Sequence, residues 1–265
     1  PLYYSFMNMV RGFLGISGTN ENRSKCHGFR FKVNEGSITQ CCATAARGTF
    51  LEWMKLKGRD VKVGSSYSLI ACLRRIAEIS DDLNESNFEK SSVVPIFVEG
   101  FQGGGLNLHF EWPNDLGDFH DTWDKRLPHL ATVLELPKVA GSSKVSGQGN
   151  KMLRVKDDID TSSHQTAIRF LNKHLWPSLN PRMEEWFYSE IAHDDDGLIG
   201  LPRPAYYYIS SFILSSVVRY EPELLLPLSI PGSEMGWLIK RFLARAERFF
   251  PQLLLDNMFG LMVYP

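Results

Sequence analysis

Apolar positions recur at three- and four-residue steps at both ends of the chain, with a stretch of strand-like runs between them. Leu2, Tyr3, Tyr4, Phe6, Met7, Met9 and Val10 predict a helix over residues 1–16, apolar nearly all round and so buried, ending at Gly15–Gly18. Nothing caps this helix and Pro1 stands directly before it, so the pattern favours an N-terminal segment ahead of Pro1 over simple loss of an initiator Met. After the polar run Thr19–Lys25, Phe29, Phe31 and Val33 alternate with Arg30 and Lys32, which predicts a short strand turned by Asn34-Glu35-Gly36. Ile38–Ala46 and Thr49–Lys57 fit strand and helix alike. Leu69, Ile70, Cys72, Leu73, Ile76, Ala77, Ile79 and Leu83 predict one helix capped by Ser65 or Ser66, with Arg74, Arg75 and Glu78 on a solvated face.

From Ser92 the period changes. Val93–Val98 and Leu106–Trp112 are β-rich runs around Gly100 and Gly103-Gly104-Gly105, and they predict an inserted hairpin over residues 93–112. His120–Leu136 reads as a helix or broken helix, and Gly141–Asn150 as a loop by composition. Lys151–Val155 and Trp186–Ile191 are strand candidates around a helix at Ser163–Leu175, and Asp194–Gly197 is a turn. Pro202 and Pro204 introduce a helix from about Ala205 to Tyr220; Pro222, Pro227 and Pro231 break the chain; Met235–Phe250 is a helix that Pro251 stops. Leu253, Leu254, Leu255, Met258, Leu261 and Met262 predict one last packed helix. The expected fold is a single α+β domain, mainly α, with the Leu2–Leu14, Ala205–Tyr220 and Trp237–Phe250 helices as its core.

Charge and cysteine content narrow the function classes. With 29 Lys+Arg against 30 Asp+Glu, the chain lacks the global basic excess of many nucleic-acid binders, although a local patch would suffice for RNA contact. Cys26, Cys41, Cys42 and Cys72 form no CxxC pair and read as small reduced thiols of a cytoplasmic protein. The longest apolar stretch, Tyr206–Val218, falls short of the roughly 18–20 residues a membrane helix needs, so no membrane partner is expected.

Two stretches carry a family likeness. Tyr3-Tyr4-Ser5-Phe6 through Leu14, followed by His27-Gly28, and Tyr206 through Val218, followed by Arg219-Tyr220-Glu221-Pro222, together resemble the YaaC-like family of bacterial proteins. Leu201-Pro202 and the Lys240–Pro251 helix agree with the same pattern. The helical pair is also similar to the HEPN superfamily, whose ribonucleases dimerise and carry an Arg separated from a following His by four to six residues. The resemblance implies a HEPN-like helical core. Arg23 and His27 here have only three residues between them, short of that spacing, and Arg23 falls in a predicted loop.

Candidate chemistry centres on His27. An imidazole beside Gly28 lies where backbone approaches closely, and it titrates near neutral pH. Arg219, ending an apolar helix, is its complement: the two belong to a buried structural network or line one cavity that holds a phosphate or a carboxylate. His193–Asp196 and His120/Asp121/Asp124 have metal-ligating residue types, but acidic turns of this kind are commonly just solvated, and no metal is expected. Gly103-Gly104-Gly105 lacks the Lys-Ser/Thr of a phosphate loop, so no nucleotide cofactor is expected either. Lys240, Arg241, Arg245 and Arg248 form a basic face, read as solvated or as a contact for RNA phosphates or an acidic partner. Two functions follow as expectations. One is a non-catalytic interaction or scaffold module that binds a protein partner or itself, in a bacterial stress or antiphage setting. The other is a metal-independent HEPN-type ribonuclease with His27 as general acid or base and Arg23 or Arg219 stabilising phosphate.

Overall fold

The computed structural model describes residues 2–18, 26–34, 36–86, 89–99, 106–112, 116–137, 151–179, 185–188 and 201–259. The chain divides into two compact units, Pro1–Ser91 with Gly200–Pro265, and Ser92–Ile199. The first unit begins with α1 (Leu2–Ile16), β1 (Phe29–Lys32), β2 (Cys42–Ala45), α2 (Thr49–Leu56), β3 (Ser66–Ser68), α3 (Leu69–Leu73) and α4 (Ser80–Glu85). The second holds β4 (Val94–Glu99), β5 (Asn107–Phe110), α5 (Phe119–Arg126), β6 (Leu134–Glu135), β7 (Met152–Val155), α6 (His164–His174), β8 (Trp176–Pro177) and β9 (Glu185–Tyr188). The chain then returns to the first unit with α7 (Arg203–Tyr220) and α8 (Glu234–Phe259). The architecture is α+β and mainly helical.

In the first unit, α7 is buried on every face from Arg203 to Leu214, and α1 and α8 pack on it and on each other. Pro204 fits its first turn, where the missing N–H has no intrahelical partner to lose. α1 is amphipathic: Tyr3, Phe6, Met7, Val10, Phe13 and Leu14 are buried while Tyr4, Ser5 and Asn8 face solvent. Phe6 stacks on Phe250 of α8 with ring centroids 3.8 Å apart. Each such large apolar side chain contributes about 1.5–3 kcal/mol on leaving water. A three-stranded antiparallel sheet, β1-β2-β3, closes the unit, and Phe29 of β1 lies against Phe50 of α2 and Phe212 of α7.

Four helix expectations in this unit are corrected. The Ser65–Leu83 stretch is not one helix but β3, α3, a short 3-10 turn over Ala77–Ile79 and α4. The cap is Ser68, whose Oγ accepts from Ala71 N, because β3 takes Ser66 into the sheet. Arg75 and Glu78 therefore leave the solvated face: Arg75 is fully buried and donates from Nη1 to Ala71 O, and the Glu78 carboxylate accepts from Arg203 and from the Tyr207 hydroxyl. Finally, Pro251 does not stop α8, which runs on to Phe259. The missing N–H forfeits one backbone bond, and Leu253 and Leu254, buried one turn later, hold the helix on the core. Pro227 likewise sits inside a 3-10 stretch over Pro222–Ser229.

The predicted hairpin is the centre of the second unit's six-stranded sheet, in the order β6-β7-β5-β4-β9-β8 with antiparallel neighbours. Its register pairs Val98 with Leu108 and Leu108 with Leu153. α5 follows the Asp118 cap and brings Phe119 against Phe110 and Trp112. α6 starts at Ser163, where a reciprocal capping box with Thr166 fixes the first turn. His120–Leu136 thus splits into α5, a 3-10 turn and the edge strand β6.

Replacing Glu78 with Ala removes the carboxylate that Arg203 and Tyr207 share in the core, and is expected to cost about 3–5 kcal/mol. Urea denaturation of wild type and variant, followed by far-ultraviolet circular dichroism, checks it; a loss below about 1 kcal/mol would refute the placement.

Candidate functional site

The His27 segment is held by two glycines. Gly28 has φ +93°, and a Cβ there would lie 2.8 Å from Phe50 N; Gly48 has φ +148°, and its Cβ would lie 2.7 Å from Cys26 O and Gly28 N. Backbone therefore packs on backbone where no L side chain fits. Ala46 N donates to Gly28 O and Thr49 N to Cys26 O, pinning the loop to the start of α2. His27 is fixed on either side of this contact: Nδ1 accepts from Phe29 N at 3.3 Å, and its ring lies 5.0 Å from Phe212 and 6.3 Å from Tyr3.

At the far end of α7 the helix leaves the core, and Val218, Arg219 and Tyr220 are exposed. The Arg219 guanidinium lies over the rings of Tyr4 and Tyr220, 5.3 and 5.7 Å from their centroids, and its Nη2 donates to Tyr4 Oη at 2.6 Å. A cation in the last turn also opposes the helix dipole favourably. Between these two places lies a pocket of about 150 Å³, lined by Tyr3, Tyr4, His27, Phe29, Phe31, Phe212, Ser215, Ser216, Arg219 and Tyr220. His27 and Arg219 share its wall, and among the described residues no carboxylate lines it.

Burial, followed by the charges of Arg11 and Arg219, holds the His27 pKa below its ordinary value. A neutral imidazole that accepts at Nδ1 carries its proton on Nε2, so the ring is a donor there. Behind it, Tyr3 and Tyr208 approach through their hydroxyls at 3.5 Å, and burial pushes Tyr208 up to about 12, leaving both phenols protonated near neutral pH. The pocket is thus lined by serine and tyrosine hydroxyls, the His27 imidazole and the Arg219 guanidinium.

The other sequence candidates fall elsewhere. Arg23 lies outside the described residues, as do His193–Asp196 and Gly103–Gly105. Among the described residues no group of His, Cys, Asp and Glu has the arrangement to hold a metal ion. His120 is exposed, and Asp124 accepts from the Lys125 backbone. His109 pairs with Glu99 across β4 and β5 at 2.7 Å. Cys41, Cys42 and Cys72 are buried thiols outside any disulfide, Cys26 is exposed, and burial raises the Cys41 thiol to about 11. The basic face of α8 is partly engaged, because Arg241 Nε donates to both oxygens of Asp82 at 3.1 and 3.3 Å. The sequence reading missed the aromatic walls of the pocket. Phe29 and Phe31 read only as strand alternation and Tyr3 and Tyr4 only as helix core, and no spacing rule links residues 3, 29 and 212.

A family model described as "YaaC-like Protein" matches residues 1–258. No curated protein and no solved structure matches the chain. Among the described residues no helix is long and apolar enough to cross a membrane.

Two outcomes test the geometry. Gly28→Ala is expected to lower stability by about 1–3 kcal/mol in urea titration, because a positive φ and a backbone contact both oppose the new Cβ. Because His27 binds its proton more weakly folded than unfolded, its contribution is whole above about pH 6.5 and is lost as pH falls through that value toward its folded pKa. His174 of the second unit is shifted the same way, by burial and then by Lys173, so wild type is compared with His27→Gln. The melting temperature of the variant should fall less between about pH 7 and pH 5 than that of wild type, and equal falls would refute the assignment.

Proposed function

We propose that this chain, which belongs to the YaaC-like family, is a non-catalytic interaction module that engages its partner through the pocket of His27 and Arg219. The observation that carries this reading is the hydrogen bond from Phe29 N to His27 Nδ1. It occupies the lone pair that a general base needs and leaves Nε2 as a donor, while burial disfavours the imidazolium that a general acid needs. Arg219 is a fixed, exposed cation suited to holding an anion. Exposed apolar side chains on the same unit, Val218 on α7, Leu226 and Ile230 in the stretch after it and Trp237 on α8, support a contact surface.

A second reading, a metal-independent ribonuclease of the HEPN type, draws support from His27 and Arg219 lining one pocket. The two readings separate in one assay. Purified full-length protein and a His27→Ala variant are incubated with labelled tRNA and single-stranded RNA in EDTA, with circular dichroism to verify folding. Neither is expected to cleave. Cleavage by wild type that the folded variant lacks would overturn the non-catalytic reading and establish the nuclease.

A further inference from the structure

β1 ends the three-stranded sheet of the first unit, so one of its two sides has no neighbouring strand among the described residues. Its register with β2 decides which backbone groups that side carries. Ala46 N donates to Gly28 O, and bonding alternates along an antiparallel ladder, so the next residues of β1 that exchange bonds with β2 are Arg30, opposite Thr44, and Lys32, opposite Cys42. Phe29 and Phe31 therefore turn their N–H and C=O groups away from β2. The His27 ring takes one of these, the Phe29 N–H. The Phe29 carbonyl and both backbone groups of Phe31 have no hydrogen-bond partner among the described residues. An open edge of this kind is a template for a further strand.

What surrounds the edge narrows the partner. Phe29 and Phe31 both line the pocket of His27 and Arg219, so the unpaired groups belong to its wall. Phe31 is half-buried, and Tyr4 and Tyr220 on the same wall are exposed, with the Phe31 and Tyr220 ring centroids 6.5 Å apart. These three offer apolar surface to every second side chain of an added strand. On the opposite face of β1, Arg30 and Lys32 are exposed, and no carboxylate pairs with either among the described residues. Side chains that come to lie across from them are favoured when acidic. The same rule disfavours a second copy of β1, because pairing Phe31 with Phe31 sets Arg30 of one copy against Lys32 of the other.

We infer that β1 binds an extended segment of a partner protein that alternates acidic with apolar residues and adds to the sheet as a fourth strand beside the pocket. This deepens the interaction reading and rests on it. Backbone bonds to Phe31 and to the Phe29 carbonyl hold the segment in register, its apolar side chains meet Phe31, Tyr4 and Tyr220, and its carboxylates meet Arg30 and Lys32. Arg219 is a third cation on the same wall.

Two measurements on the full chain test it. Hydrogen exchange read residue by residue should show the Phe31 amide exchanging at least about tenfold faster than the Arg30 amide, which the ladder protects. A phage library of random heptapeptides is then selected on the protein, and the most enriched peptide is synthesised and titrated by fluorescence polarisation. It should alternate acidic and apolar residues, bind with a dissociation constant below about 100 μM and slow Phe31 exchange about tenfold. N-methylation of its alternate amides should weaken binding about tenfold in one set of positions and less than about twofold in the other, since only every second amide faces the edge. Arg30→Glu combined with Lys32→Glu should weaken binding about tenfold with the melting temperature retained, both side chains being exposed. No enriched peptide, equal losses from both methylation sets, unchanged binding by the double variant, Phe31 exchange unaffected by the peptide, or a Phe31 amide already as protected as that of Arg30 would overturn the inference and leave the non-catalytic reading to its own assay. Peptide binding by a protein that also cleaves RNA would keep the added strand and overturn the non-catalytic reading.

Discussion

The first unit is organised around a helix with no solvent face along most of its length. α7 carries Arg203, three consecutive tyrosines and several serines into the core. Buried polar groups of this kind must be matched, and the match for Arg203 and Tyr207 is the Glu78 carboxylate. Burial brings the Arg203 pKa down to about 10, well above neutrality, so the guanidinium stays charged. Breaking such a pair costs far more than forming it gained, which ties the 3-10 turn that carries Glu78 to the start of α7. The break between α3 and α4 follows from the same need, since a continuous helix over 65–83 places Glu78 on a solvated face.

The other end of α7 sets the candidate site. Where the helix emerges at Val218–Tyr220, its last turn meets the outward face of α1 through the Arg219–Tyr4 contact. β1 and the Gly28–Gly48 crossing bring His27 and Phe29 to the same place from a different part of the chain. The pocket is thus the space left where a central helix exits its packing, lined by the aromatic residues that pack it. His27 is neutral there for the same reason that its neighbours are aromatic: the position is half withdrawn from water.

Periodicity read well wherever a segment's neighbours did not matter. The ends of α1, α6 and α7, and the pairing of β4 with β5, were visible because helical and strand periods, caps and prolines act within about four residues. His27 and Arg219 were also visible as polar groups in apolar or glycine-marked settings. What failed depended on distant partners: the burial of Arg75 and Glu78, the passage of α8 through Pro251, and the extension of one hairpin into a six-stranded sheet. Each is decided by packing energies summed over residues far apart in the chain, which local propensity does not contain.

The sequence by itself therefore determined the helical ends of the chain, the strand-rich middle, the absence of a long apolar span and two of the residues that share the pocket, because local backbone preference and side-chain polarity fix these. Only the tertiary structure decided that residues 3, 27, 212 and 219 meet around one cavity and that the imidazole there is a neutral donor. The reason is physical: cavity shape and protonation depend on which atoms are brought within a few ångströms, and that follows from long-range packing on α7.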